Sequence, residues 1–396
     1  MTRLWDKGLP LDARVLQFTA GDDHVLDNRL VRYDIKASIA HAEMLEVQRL
    51  LSAQDLKLIR DALSAIGTEH AAGAWRVSLE QEDCQTAIEN LLTARIGDAG
   101  GRLHAGRSRN DQVLAALRLY LRDAAEELRR GAIAVADALD ALAKRHGAMA
   151  LPGYTHMQQA MPSSVELWAQ GFAAEIRDDA AGLELTQRRI GKNPLGSAAG
   201  YGTPNLELSR EETRRRLGFA VTQEPVTAVQ LSRGKAEAHL LFEITLLAQD
   251  VGRLAADLML FYTQEFAFVS LPAAFTTGSS IMPQKRNPDV FELVRGRGSV
   301  AQAALNEVLG ITQKLTSGYH RDLQLIKQPL FRGIDSCLQT LEILPSALDG
   351  VAFLPENIRL DPGIDAAAAA NALVAKEGIP FREAYARVAA SLKDSE

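Results

Sequence analysis

Proline is missing from three long stretches of this chain: between Pro10 and Pro152, between Pro225 and Pro272, and between Pro288 and Pro329. Inside a helix a proline removes a hydrogen bond and collides with the preceding turn, at a cost of roughly 3 kcal/mol. Each proline-free span is also rich in Ala, Leu, Glu, Arg and Gln, so each reads as helix. In the first span Leu114, Leu121, Leu128, Val135 and Leu142 recur every seven residues, and Leu117, Ala124, Gly131 and Ala138 form a second seam. This pattern predicts a bundle helix over residues 111–145, about 50 Å long at 1.5 Å per residue, whose small second-seam residues admit a close neighbour. Asp111 near its start suits the positive end of the helix dipole. The alanine run at residues 366–370 also reads as helix. No sustained alternation of period two occurs, so sheet is expected to be marginal. The expected fold class is therefore all-α.

With 396 residues, 47% of them hydrophobic, the chain can bury a large core and is expected to divide into two or three domains. A net charge of −6, with no basic block interleaved with aromatics, gives nucleic acid no electrostatic footing and points to a small-molecule substrate. Cys84 and Cys337 are the only cysteines and have neither CxxC nor metal-ligand spacing, which suits a reducing compartment and argues against structural zinc. The start MTRLWDKGLP has no apolar signal core, and the most apolar run, residues 240–262, is interrupted by Glu243, Asp250, Arg253 and Asp257. A cytoplasmic protein without membrane contact is expected.

Prolines and glycines gather instead in LPGYTHMQQAMPSS, NPLGSAAGYGTPN and TTGSSIMPQKRNPD, read as loops, and a fourth loop, GDAGGRLHAGRSRNDQ, precedes the heptad helix. Loops carried on a rigid scaffold are where chemistry usually sits. These supply anion partners in Arg107, Arg109, Lys285 and Arg286, joined by Lys327, and neutral donors in Asn110, Asn287, Thr155 and Gln324. Any one of these cations, taken singly, is more often a solvated surface charge than a ligand. His156, in a Gly/Pro-rich loop, is a better acid/base candidate than His41, His70, His146 or His239, which lie in helical surroundings. Ser279 and Ser280 read equally as caps of a helix starting near Pro283. Neither a P-loop nor GxGxxG, HExxH or GxSxG is found, which leaves cofactor-free chemistry on a small acidic molecule.

GSSIMPQKRNPD, residues 278–289, resembles the signature of the fumarase, aspartase and argininosuccinate lyase superfamily, whose members release fumarate by β-elimination. LHAGRSRNDQ, PGYTHMQ, YHRDLQLIK and GIPFREAY narrow the resemblance to the argininosuccinate lyase family, and it runs through nearly the whole chain from Leu4-Trp5 onward. The resemblance implies a long central helical bundle flanked by two smaller helical domains. The expected division is residues 1–108, 109–345 for the tetramerisation bundle and signature loop, and 346–396 for a shortened C-terminal domain. It also implies a homotetramer with shared active sites, no cofactor and no metal. Ser279, deprotonated, would be the base that takes the Cβ proton, and the carbanion would spread into the adjacent carboxylate. His156, with Glu292 as its partner, would serve the leaving nitrogen. Asn110, Thr155, Lys285, Asn287, Tyr319, Gln324, Lys327, Arg109 and Ser280 would contact the substrate.

The chain departs from the family pattern at several points. Gln85 stands where a histidine is usual, Gly21-Asp22 where a substrate-binding serine is usual, and Arg233 is displaced by one residue within its motif. Three readings follow from this: argininosuccinate lyase chemistry, the same elimination on another N-substituted aspartate, or a crystallin-like structural protein on the same scaffold.

Overall fold

The structure, a computed structural model, describes residues 12–393, so Leu4-Trp5 and Pro10 lie outside the described residues. It is mainly helical. The heptad span forms the helix Arg109–His146, of 38 residues. Leu114, Leu121, Leu128, Val135 and Leu142 are all buried on it, as the seven-residue repeat predicts. Gly131 answers the close-approach expectation, because a Cβ built there would meet the Leu341 Cβ at 2.9 Å. The other long helices are Val165–Leu185, Lys235–Phe261, Asp289–Thr312 and Lys327–Asp349. The alanine run opens the helix Ala366–Glu377.

Three findings differ from the sequence reading. LPGYTHMQQAMPSS is an antiparallel hairpin, Ala150–Thr155 against Gln158–Ser164, rather than a loop. Pro152 faces Pro162 in this two-stranded ribbon, where each strand has an outer edge that needs no ladder bond, so prolines that would break a central strand are tolerated. The helix after the signature stretch starts at Asp289, not near Pro283, where the backbone only turns, Lys285 N donating to Met282 O at 3.0 Å. Ser279 and Ser280 therefore cap no helix there. Finally, the helix Lys327–Asp349 contains Pro345. Leu341, Leu344, Ala347 and Leu348, buried on both sides of that proline, hold the last turn in place by packing.

The chain divides into two compact units. One takes in the chain up to Arg129 with Ala181–Thr245 and Ser299–Ser336; the other is Arg130–Ala180, Leu246–Gly298 and the chain from Cys337 on. In the first unit, the buried Arg118 guanidinium donates to Lys192 O, Gln223 Oε1 and Ser232 Oγ. Asp111 does more than sit at a helix start: its carboxylate accepts the backbone N–H groups of Ser108, Gly196 and Ala198 at 3.1, 3.0 and 2.8 Å, fastening the glycine-rich stretch 194–205 to the helix. Burial pushes its pKa up to about 6 despite those bonds. In the second unit Trp168, Phe261, Phe268 and Phe353 form an aromatic cluster, Trp168 edge to face with Phe353 and tilted against Phe261, which is tilted against Phe268, with Trp168 Nε1 donating to Asp257 at 2.9 Å. Among the described residues no helix is long and apolar enough to cross a membrane.

Candidate active site

The first unit holds a cavity of about 100 Å³, open at its mouth. Five of the residues expected at a substrate site line it: Arg109, Asn110, Tyr319, Gln324 and Lys327. Arg109 and Asn110 open the long helix rather than lying in the loop before it. Arg109 Nη1 is 2.8 Å from Asp83 Oδ2 and 3.5 Å from Glu82 Oε2. Asp83 is itself fixed, since its other oxygen caps the helix Cys84–Ile96 by accepting Thr86 N at 2.8 Å. Gln324, in a short 3₁₀ turn, donates its amide to the carbonyls of Thr19 and Ala20, both at 3.0 Å.

Lys327 is buried and its ammonium lies 2.7 Å from both Asp23 Oδ2 and Asp27 Oδ1. Asp27 also accepts Cys84 N at 3.3 Å. The two carboxylates raise the Lys327 pKa, although burial opposes them. Burial in turn pushes Asp23 up to about 7 and raises Asp27, with the ammonium pulling both the other way. One ammonium between two carboxylates leaves a net negative charge in a dry place, which is why their protons are held more tightly.

The remaining expected residues, Thr155, His156, Ser279, Ser280, Lys285, Asn287 and Glu292, belong to the second unit, and none of them lines this cavity. His156 is exposed at the tip of the hairpin, where it and Met157 form the two-residue turn with φ of 53° and 60°. In the signature stretch Thr277 and Asn287 exchange both backbone hydrogen bonds, at 3.1 and 2.9 Å, and so clamp residues 278–286 into a closed loop. The Thr277 hydroxyl also donates to Asp289. Within the loop, Ser279 Oγ accepts the backbone N–H groups of Met282 at 3.2 Å and Ile281 at 3.4 Å. Ser280, Lys285 and Arg286 are exposed on the same loop. Glu292 is exposed in the first turn of the helix Asp289–Thr312, and no hydrogen bond or ion pair joins it to His156 within the chain.

Arg107 lies elsewhere, buried with Nη1 donating to Ser38 Oγ at 2.8 Å. His41, buried near it, has its pKa held well below the ordinary value by burial first and the Arg107 charge second, so it is neutral and unfit as an acid. The departures Gln85 and Arg233 both stand in the cavity wall. Gln85 is occupied, its amide donating to the buried Asp34 at 3.0 Å. Gly21, at φ 52°, leaves 3.7 Å between a built Cβ and the Gln324 amide nitrogen. Asp23, Glu82, Asp83 and Arg321 also line the cavity and were assigned no role from the sequence. Arg321 lies within the YHRDLQLIK motif, but the charge partners of Glu82, Asp83 and Arg321 come from distant parts of the chain that no spacing reveals.

A helical scaffold with a cation-rich, acid-balanced cavity at the start of its longest helix defines the class of helical lyases, and the comparisons agree. A family model described as lyase matches residues 10–303. The argininosuccinate lyase of Sorangium cellulosum is 48% identical over 399 residues, covering 98% of this chain and 90% of that protein. That of Xanthomonas euvesicatoria is 44% identical over 387 residues, covering 96% and 88%. Among solved structures, an EDDS lyase in complex with formate has a TM-score of 0.79 at 25% identity, covering 96% of this chain and 76% of that one. A fumarate lyase:delta crystallin from Brucella melitensis, bound to cobalt, shares the fold with a TM-score of 0.79 at 19% identity, covering 98% and 91%. The chain belongs to the argininosuccinate lyase family.

Proposed function

We propose that this carbon–nitrogen lyase splits argininosuccinate into arginine and fumarate by β-elimination, without a cofactor. The observation that carries the reading is the cavity of the first unit: Arg109, Asn110, Tyr319, Gln324 and Lys327, drawn from separate stretches of the chain, stand around one space. Four cations, Arg109, Arg233, Arg321 and Lys327, face three carboxylates there, a balance suited to a substrate carrying several carboxylates.

Ser279 takes the Cβ proton. A serine hydroxyl is a weak base in water, and the two backbone amides already pointed at its oxygen support its alkoxide, as does the cation of Lys285 on the same loop. The carbanion spreads into the neighbouring carboxylate, so donors are needed where the second negative charge develops, and Asn287, Thr155, Asn110 and Ser280 fill that role. His156, partnered by Glu292, serves the leaving nitrogen. Tyr319, Gln324, Lys327 and Arg109 bind the rest of the substrate. The protein is a homotetramer in which copies share active sites through the long helices of residues 109–345, flanked by the domains 1–108 and 346–396. The setting is the cytoplasm and arginine biosynthesis.

Gln85 and Arg233 in the cavity wall favour one second reading, the same elimination on a different N-substituted aspartate. Following fumarate absorbance with argininosuccinate and then with other N-succinyl amines separates the two. Fumarate from argininosuccinate at the highest kcat/KM is expected, fumarate from the others alone would transfer the assignment, and none from any would leave a structural protein.

A further inference from the structure

Among the described residues, Arg233 is the one cavity cation whose side chain has been given nothing to bind. It sits in the turn before the helix Lys235–Phe261 and is only 6% exposed. Its backbone is fixed: Gly234 follows at φ 84°, with a built Cβ only 2.5 Å from Thr312 Cγ2, so the turn accepts no other residue at that point. Yet both Nε and Nη1 of Arg233 are buried without a hydrogen-bond partner. Arg107 and Arg118 are also buried and also keep an unpartnered Nε, but their terminal nitrogens are bonded to Ser38 and to Lys192, Gln223 and Ser232. Neither of those two lines this cavity, and Arg233 does. Glu237, one turn along the helix, forms no ion pair with it and keeps its own Oε1 unpartnered.

Nη1 and its neighbour Nη2 form the end of the guanidinium fork, which takes a carboxylate by two parallel hydrogen bonds. Burying Nε and Nη1 without partners costs the desolvation of two donors, and a ligand carboxylate at the end of the fork would recover the part that belongs to Nη1. The other cations of the wall are engaged: Arg109 by Asp83 and Glu82, Lys327 by Asp23 and Asp27, Arg321 by the Thr19 carbonyl at 2.8 Å. We propose that Arg233 is a substrate-binding residue that holds one carboxylate of the substrate through the end of its guanidinium and so helps to set specificity. The inference rests on the reading of the cavity as a site for a polycarboxylate. Two carboxylate sources fit, the succinyl end and the amino-acid end of the substrate.

The test compares wild type, Arg233→Lys and Arg233→Gln by calorimetric titration with fumarate and, separately, with arginine, alongside kinetics on argininosuccinate and thermal midpoints. In Arg233→Gln the Kd of one ligand is expected to rise about tenfold or more, the equivalent of about 1.4 kcal/mol. The KM is expected to rise with it while kcat stays within about threefold, the pattern of lost ground-state binding. Arg233→Lys, which keeps the charge and loses the fork, should fall between and provides the result if the glutamine variant does not fold. Weaker fumarate binding places the contact at the succinyl end, and weaker arginine binding at the amino-acid end. Unchanged affinities for both, whether or not the thermal midpoint falls, overturn the inference and leave Arg233 a packing residue. If wild type binds fumarate in an Arg233-dependent way but releases none from argininosuccinate, the proposed reaction is wrong and this inference stands.

Discussion

Lys327 shows how strongly a single residue of this cavity is tied to the fold. Its ammonium is nearly sealed from solvent and sits between Asp23 and Asp27 at 2.7 Å from each. Removing one partner of a buried charge set leaves the others uncompensated, which typically costs about 3–5 kcal/mol. Lys327→Met is therefore expected to lower the unfolding free energy read from a denaturant titration by that much, and a change under about 1 kcal/mol would show the two aspartates to be protonated and indifferent to the lysine. Residue identity at the site was legible where a motif carried it: Arg109, Asn110, Tyr319, Gln324 and Lys327 do share one cavity. What those residues hold on to was not legible. Asp23, Asp27 and Glu82 are ordinary acids in a sequence, and only the fold reveals that Asp27 lies 300 positions from the lysine it holds.

At the scale of elements, the seven-residue repeat was readable because a helix repeats its buried face at that interval, and the burial of Leu114, Leu121, Leu128, Val135 and Leu142 follows it. The glycine in the second seam has an energetic consequence. Gly131→Val would force a side chain against Leu341, 2.9 Å from the position of its Cβ, and overpacking of this kind costs about 1–3 kcal/mol. Thermal unfolding should show that loss, with Leu341→Ala in the same chain restoring part of it; equal losses in the single and double variants would mean that the two positions do not meet. The hairpin Ala150–Thr155/Gln158–Ser164 escaped notice for a physical reason. Its turn is His156-Met157, without the Asn-Gly or Asp-Gly that usually marks such turns, and a proline stands in each strand. The signature loop was readable as a loop but not as a closed one, because the Thr277–Asn287 clamp joins residues ten apart through backbone groups that every residue possesses.

For the whole molecule, the proposed tetramer divides each site among copies, so two differently damaged chains should repair each other. Asn110→Ala alters the first unit and Ser279→Ala the second. Unfolded together and refolded as a mixture, the two variants are expected to regain fumarate release that neither has alone, because some sites in a mixed tetramer receive both intact residues. A mixture as inactive as its components would mean that each site is built from one chain. The reaction itself is tested most directly by the rate at which fumarate absorbance rises on argininosuccinate for the wild-type protein and for Ser279→Ala. Loss of a positioned base predicts a kcat lowered about 10²–10⁴-fold in the variant, with its thermal midpoint unchanged. Undiminished turnover in Ser279→Ala would contradict Ser279 as the base.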